Sequence, residues 1–133
     1  MAGAADRGAA NPLVAALEQL AGQCPQGPVI LAISGGLDSM TLLACAAASE
    51  RLRARGLSVL HVHHGLHPEA DRWASAVTAA AAAHALSAEI RQVKVDAMGL
   101  GVEAAARAAR HAEYGRALAG GGLLLLAHHR RDQ

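Results

Sequence analysis

Four short apolar runs, separated by segments of helical spacing, limit what this chain can fold into. The runs are VILAI (29–33), LSVLHVH (57–63), AEIRQVKV (88–95) and LLLLA (123–127). VILAI and LLLLA are continuous, as in strands buried on both faces, whereas AEIRQVKV alternates and leaves one face wetter. Between them lie MTLLACAAASERLRAR (40–55), closed by Gly56, a stripe of Trp73, Val77, Ala80, Ala81 and His84, and a long helix over 102–119 ended by Gly120, Gly121 and Gly122. An earlier helix opens at Asn11-Pro12, an N-cap followed by proline, and carries Leu13, Val14, Leu17 and Leu20 on one face. Strands alternating with helices predict right-handed crossovers and an α/β fold: a Rossmann-like parallel sheet with helices on both faces. In such a sheet the loops after the strands converge on one edge, where ligands bind. These loops are 34–39, 64–71, 96–101 and 128–133, and they hold nearly all of the unusual chemistry of the sequence.

Composition narrows the class. At 133 residues and 53% hydrophobic, the chain has the size of one domain with a sizeable core. That core must be aliphatic, because there is no Phe, one Tyr (Tyr114) and one Trp (Trp73). A net charge of +1 gives no global pull toward nucleic acid or membrane. Lys94 is the single lysine, so the bases are nearly all Arg, suited to planar contacts with carboxylate and phosphate. Two cysteines, Cys24 and Cys45, make neither a disulfide framework nor a Cys-rich zinc site. No apolar run reaches membrane-spanning length and no signal peptide is legible, so a cytoplasmic location with no membrane partner is expected.

SGGLDS (34–39) joins the first strand to a helix expected to begin near Asp38-Ser39. Glycine tolerates positive φ and has no Cβ to keep a ligand from the backbone. The opening N–H groups of the helix point into the turn and suit phosphate. Ser34 and Ser39 offer hydroxyl donors. Asp38 would repel phosphate unless a cation lies between them, which points to Mg²⁺. Neither GxxxxGK[ST] nor GxGxxG is present. The bland alternative is a tight turn in which Asp38 merely caps the helix.

SGGLDS after a buried strand resembles the pyrophosphate loop of the N-type ATP pyrophosphatases, the PP-loop enzymes with an adenine nucleotide alpha hydrolase-like fold. The resemblance implies ATP bound by Ser34, Gly35, Gly36, Leu37, Asp38 and Ser39, and splitting of ATP to AMP and pyrophosphate. HVHHGLHPEADRW (61–73) then resembles the tRNA(Ile)-lysidine synthetases, in which a strand ending in HVxHGLR-like residues borders the ATP pocket. His61, Val62, His64, Gly65, Leu66, Asp71 and Trp73 fit, with His67 where Arg is common. GVEAAARAARHAEYGRAL (101–118) is similar to the same family's G-x-E-x-x-A-R-x-x-R-Y helix. It sets Glu103, Arg107, Arg110 and Tyr114 in one stripe, which is otherwise readable as a solvated face with a Glu103–Arg107 pair. LLLLAHHRRDQ resembles the strand and loop continuing as A-H-H-x-D-D-Q: His129, Asp132 and Gln133 fit, and Arg131 replaces the first acid.

That family would convert the wobble cytidine of a CAU-anticodon tRNA(Ile) to lysidine. ATP adenylates the C2 oxygen, and the amine of L-lysine then displaces AMP. The resemblance implies Asp38, Arg107 and Asp132 as catalytic, His61 and Val62 beside ATP, and His64, Arg107, Arg110 and His129 as contacts to lysine or tRNA. Asp38 would hold the Mg²⁺. It also implies a longer protein: residues 1–10 a flexible tail, 11–133 an incomplete N-terminal PP-loop domain, and tRNA-binding domains beyond. The oligomeric state stays open, a homo-oligomer included. Three other readings remain at this point. A tRNA thiolase of the 2-thiocytidine type would place CxxC before the 102–119 helix, where DAMGLGVE stands. A nucleotide sensor would bind ATP without cleaving it. A zinc hydrolase could use the histidines of HxHHxxH, although Asp71 lies too far along for HxHxDH.

Overall fold

A computed structural model describes residues 11–24, 26–65, 67–95 and 101–127. The elements run α1 (Pro12–Gly22), β1 (Val29–Ala32), α2 (Leu37–Ala47), α3 (Glu50–Ala54), β2 (Leu57–His63), α4 (Ala70–Ala83), β3 (Ala88–Gln92), α5 (Val102–Ala117) and β4 (Leu123–Leu126). The strands form one parallel sheet in the order β3-β2-β1-β4, in register Leu31–Val59, Leu31–Leu125 and His61–Ile90. The expected α/β class and parallel sheet are therefore present.

Alternate strand residues divide between two faces. Val29, Leu31, Ile33, Leu57, Val59 and Leu125 pack with Leu17, Leu42, Leu43, Ala46, Leu52, Val77 and Ala81 of the first four helices. Each fully buried aliphatic side chain of this kind contributes roughly 1.5–3 kcal/mol. The chain advances β1→β2→β3 and then returns across the sheet to β4. A right-handed return puts α5 on the opposite face. That layer is thinner. The buried apolar residues of α5 are Ala105 and Ala106, while Ala32, Leu60 and Val62 are the buried apolar strand residues outside the main cluster.

Local signals explain the boundaries. Asn11 Oδ1 accepts from the N–H groups of Leu13 (2.9 Å) and Val14 (3.3 Å), with Pro12 at the first helical position. The expected single helix over 40–55 is instead two. Ser49 is extended, accepts from Leu52 N–H at 3.2 Å and so caps a new helix, while its hydroxyl donates to Glu18 at 2.6 Å. A serine that bonds backbone locally competes with helix continuation. The second helix starts at Leu37, one residue ahead of expectation, with Gly36 as its N-cap. β3 ends at Gln92, although Val93 N–H still donates to His63 O at 2.9 Å.

Glu113, buried on α5, pairs with Arg91 of β3 at 3.6 Å and with Arg116 one turn along. This pairing fastens α5 to the far side of the sheet. No helix among the described residues is long and apolar enough to cross a membrane. The expected tail, residues 1–10, lies outside the described residues.

Candidate functional site

In the strand order β3-β2-β1-β4, the connection after β1 leaves toward β2 and the chain returns from β3 to β4. β1 and β4 therefore flank the topological switch point, where open α/β sheets take ligands. A cleft of about 510 Å³ lies there. Its floor is Ala32 of β1 with Leu126 and Ala127 at the end of β4, and Ser34 and Ser39 border it. One side carries His64, His67 and Trp73, and α5 supplies Glu103, Arg107, Arg110, His111 and Tyr114. The stripe expected at Glu103, Arg107, Arg110 and Tyr114 thus lines the cleft, with Glu103 and Arg107 exposed and Arg110 and Tyr114 half-buried. Glu103 is the only acid among the described lining residues, against two arginines and three histidines. Two arginines against one carboxylate leave the described lining with a net positive charge, which suits an anionic ligand.

The Ser-Gly-Gly turn is held by its own side chains. Ser34 Oγ accepts from Gly36 N–H at 3.3 Å and donates to Ser39 Oγ at 3.2 Å. Ser39, 4% exposed, accepts from Gly35 N–H at 3.1 Å and donates to Gly36 O at 2.9 Å. Both hydroxyl protons are engaged within the loop, so the serines shape the turn as well as bordering the cleft. Gly35 has φ +100°, and a Cβ there would lie 3.1 Å from Trp73 Cβ. Gly36 is extended at φ −76°, ψ 169°. The N–H groups of Leu37, Asp38 and Ser39 open α2 and have no carbonyl within the helix to bond. Asp38 is exposed in this first turn. A single exposed carboxylate beside the opening N–H groups of a helix fits Mg²⁺, which is bound through one or two carboxylates plus phosphate oxygens and water.

The structure brings Ser34, Ser39, His64, Arg107 and Arg110 to the cleft. Gly35, Gly36, Leu37 and Asp38 belong to the adjoining turn without lining it. His61 and Val62 face a smaller cavity of about 80 Å³, next to the cleft and sharing Ser34, His64, Trp73, Arg110 and Tyr114 with it. His61 is 5% exposed and its Nδ1 lies 2.7 Å from Ile33 O. A carbonyl only accepts, so Nδ1 carries the proton. Burial pushes the His61 pKa down, the Ile33 hydrogen bond offsets part of this, and His63 adds to the lowering. His61 thereby ties the end of β2 to the end of β1. His129 and Asp132 lie outside the described residues.

His64 is also held below the usual histidine range, first by burial, then by Arg110 and the neighbouring His63, His61 and His67. It is therefore neutral near pH 7 and able to accept a proton. Burial raises the Tyr114 pKa, partly offset by Arg110. His63 Nε2 meets Asp71 Oδ1 at 2.6 Å, so Asp71 of the HVHHGLHPEADRW segment bonds the strand end rather than the cleft. Among the described residues no three of His, Cys, Asp and Glu converge as a metal site, and HxHHxxH is not gathered as zinc ligands. The roles of His111 and the floor residues were not signalled by spacing. Only the return of α5 over β1 and β4 brings them into the cleft.

Residues 10–133 match a family model described as a PP-loop domain. The chain is similar to a tRNA(Ile)-lysidine synthase of Xanthomonas axonopodis pv. citri, 53% identical over 110 residues, covering 82% of this chain and 25% of the relative. It is 46% identical to a tRNA(Ile)-lysidine synthase of Xylella fastidiosa, with the same coverage. A tRNA(Ile)-lysidine synthase of Neisseria gonorrhoeae is 42% identical over 123 residues, covering 89% of this chain and 27% of the relative. The chain thus spans about a quarter of the length of these curated relatives.

Proposed function

The chain belongs to the PP-loop domain family, and on that premise we propose that it is the ATP-activating part of a tRNA(Ile)-lysidine synthase. The observation that carries this reading is the joining of a phosphate-type turn to a cationic cleft at the switch point. Relatives named tRNA(Ile)-lysidine synthase support tRNA(Ile) as the substrate, and the co-substrates of the proposal are ATP and L-lysine, with a CAU anticodon on the tRNA.

The N–H groups of Leu37, Asp38 and Ser39 take the triphosphate, with Gly36 allowing close approach. Asp38 would hold Mg²⁺, which neutralises part of the phosphate charge. The C2 oxygen of the wobble cytidine attacks the α-phosphate, pyrophosphate leaves, and the cytidine is adenylated. Arg107 and Arg110 face the charge that develops at this phosphate, where fixed cations in a cleft are most effective. The ε-amine of lysine then attacks C2 and AMP departs. The amine must lose a proton to react, and His64 and Glu103 are the groups of the described cleft that can accept one. Asp132 and His129 are proposed to act beside it.

The test is nucleotide analysis with the full-length protein. ATP labelled at the α- and γ-phosphates should release pyrophosphate once CAU-anticodon tRNA is present, and free AMP only when lysine is added as well. ADP and phosphate, or AMP release indifferent to lysine, would reject the proposal.

A further inference from the structure

We infer that the cleft carries a stacking platform for a nucleobase, formed by Trp73 with His67 and faced by Tyr114 with His111. This inference rests on reading the cleft as a nucleotide site. Its support is the location of the aromatic rings. The chain has no Phe, one Trp and one Tyr. Large aromatic rings ordinarily serve the core, where they bury the most area. Here the core cluster is wholly aliphatic apart from a partly buried Met and Cys packed on it. Both Trp73 and Tyr114 line the same cleft instead.

Each ring is paired with a histidine that also lines the cleft. Trp73 stacks on His67 with centroids 4.5 Å apart and planes 29° from parallel. Tyr114 lies against His111 at 5.7 Å and 47°. The pairs come from different elements, the loop and first turns of α4 and the cleft-lining stripe of α5. The first pair is fixed at both ends. Trp73 Cβ packs on Gly35, and His67 Nδ1 accepts from Glu69 N–H at 3.1 Å. His67 covers one face of the indole, so a base would stack on the remaining face of the pair that lines the cleft, and stacking accepts any base because every base has a π-face. Because Trp73 touches the Ser-Gly-Gly turn, a base on it would lie beside the bound phosphates. Two sources offer such a base: the adenine of ATP and an unstacked base of RNA.

The experiment compares three ligands on the full-length protein: ATP, inorganic tripolyphosphate, which has no base, and a short RNA hairpin with a CAU loop. Affinities are measured for the parent, Trp73→Leu, Trp73→Tyr and Tyr114→Leu. Base stacking is worth about 1–3 kcal/mol per base, so Trp73→Leu should weaken the stacked ligand about 5- to 150-fold relative to tripolyphosphate. Trp73→Tyr should recover the parent affinity to within about threefold, since an aromatic face is restored. Tyr114→Leu tests the opposite wall with a side chain that does not touch Gly35. Loss with ATP assigns the platform to adenine, and loss with the hairpin assigns it to an RNA base. Equal weakening of all three ligands, or no change in ATP and hairpin binding, overturns the proposal. Parent protein that ignores tripolyphosphate refutes the phosphate-loop reading instead, and the hairpin then decides the platform alone.

Discussion

Adjacent glycines of the phosphate turn should respond differently to the same added methyl group. Gly35 has φ +100°, a region that costs an L-residue about 1–3 kcal/mol. Its new Cβ would also sit 3.1 Å from Trp73 Cβ, so the indole must shift. Gly35→Ala should therefore lower unfolding free energy by at least about 1–3 kcal/mol. Gly36 already has ordinary extended dihedrals, and a Cβ there would meet only Ser34 Oγ at 3.6 Å, normal van der Waals contact. Alanine is a poorer N-cap than glycine but restricts the unfolded chain, and these opposing effects leave Gly36→Ala within about 1 kcal/mol of the parent. Its effect should fall on the ligand. If phosphate approaches the backbone here, the methyl group removes at least one hydrogen bond to a charged oxygen. That bond is worth about 1.5–3 kcal/mol, or about 10- to 150-fold in ATP affinity. Urea unfolding and calorimetric ATP titration of both variants separate the two roles. Gly35→Ala with parental stability would refute the backbone argument. Gly36→Ala with parental ATP affinity would refute phosphate approach at this turn.

Asp38→Ala should abolish ATP-dependent pyrophosphate release while leaving circular dichroism unchanged, because the carboxylate is exposed and supports no buried contact; full turnover would remove Asp38 from the ion's site. His61 and His64 both have folded pKa values below their unfolded value of 6.5, so the unfolded chain binds more protons just below that pH. Their contribution is fully present above pH 6.5 and is lost as pH falls toward the folded values. Urea unfolding across this range should show a falling stability that His61→Asn partly flattens. Glu113→Ala removes the partner of Arg116, while Arg91 keeps its 2.8 Å bond to Glu89; both arginine side chains, 66% and 25% exposed, can rehydrate. A loss of about 1–2 kcal/mol is expected, below the range for a fully buried pair, and a double-mutant cycle with Arg91→Ala measures how much belongs to that contact.

Much of this architecture was legible from periodicity. Continuous runs such as VILAI must be covered on both faces, and their alternation with helices leaves few topologies. The break at Ser49 was not legible, because Ser can either sit exposed on a helix or cap a new one. The contact to Glu18, distant in sequence, accompanies the second choice here. For the site, chain spacing brought Glu103, Arg107, Arg110 and Tyr114 to one stripe, but not to any particular neighbour. Their meeting with Ser34 and Ser39 depends on α5 crossing back over β1, a long-range consequence of strand order. His61 shows the opposite limit. Its motif position suggested ligand contact, and the structure adds a bond from its Nδ1 to Ile33 that only the pairing of β1 with β2 creates.

The central claim, that this chain activates a cytidine for attack by lysine, is tested most directly on the product. Full-length protein is incubated with ATP, Mg²⁺, L-lysine and CAU-anticodon tRNA(Ile), and the nucleosides are resolved by mass spectrometry. The account predicts that the wobble cytidine gains lysine with loss of water, and that isotopically labelled lysine carries its label into that nucleoside. A thiolated cytidine, or an unmodified one despite AMP and pyrophosphate release, would contradict it.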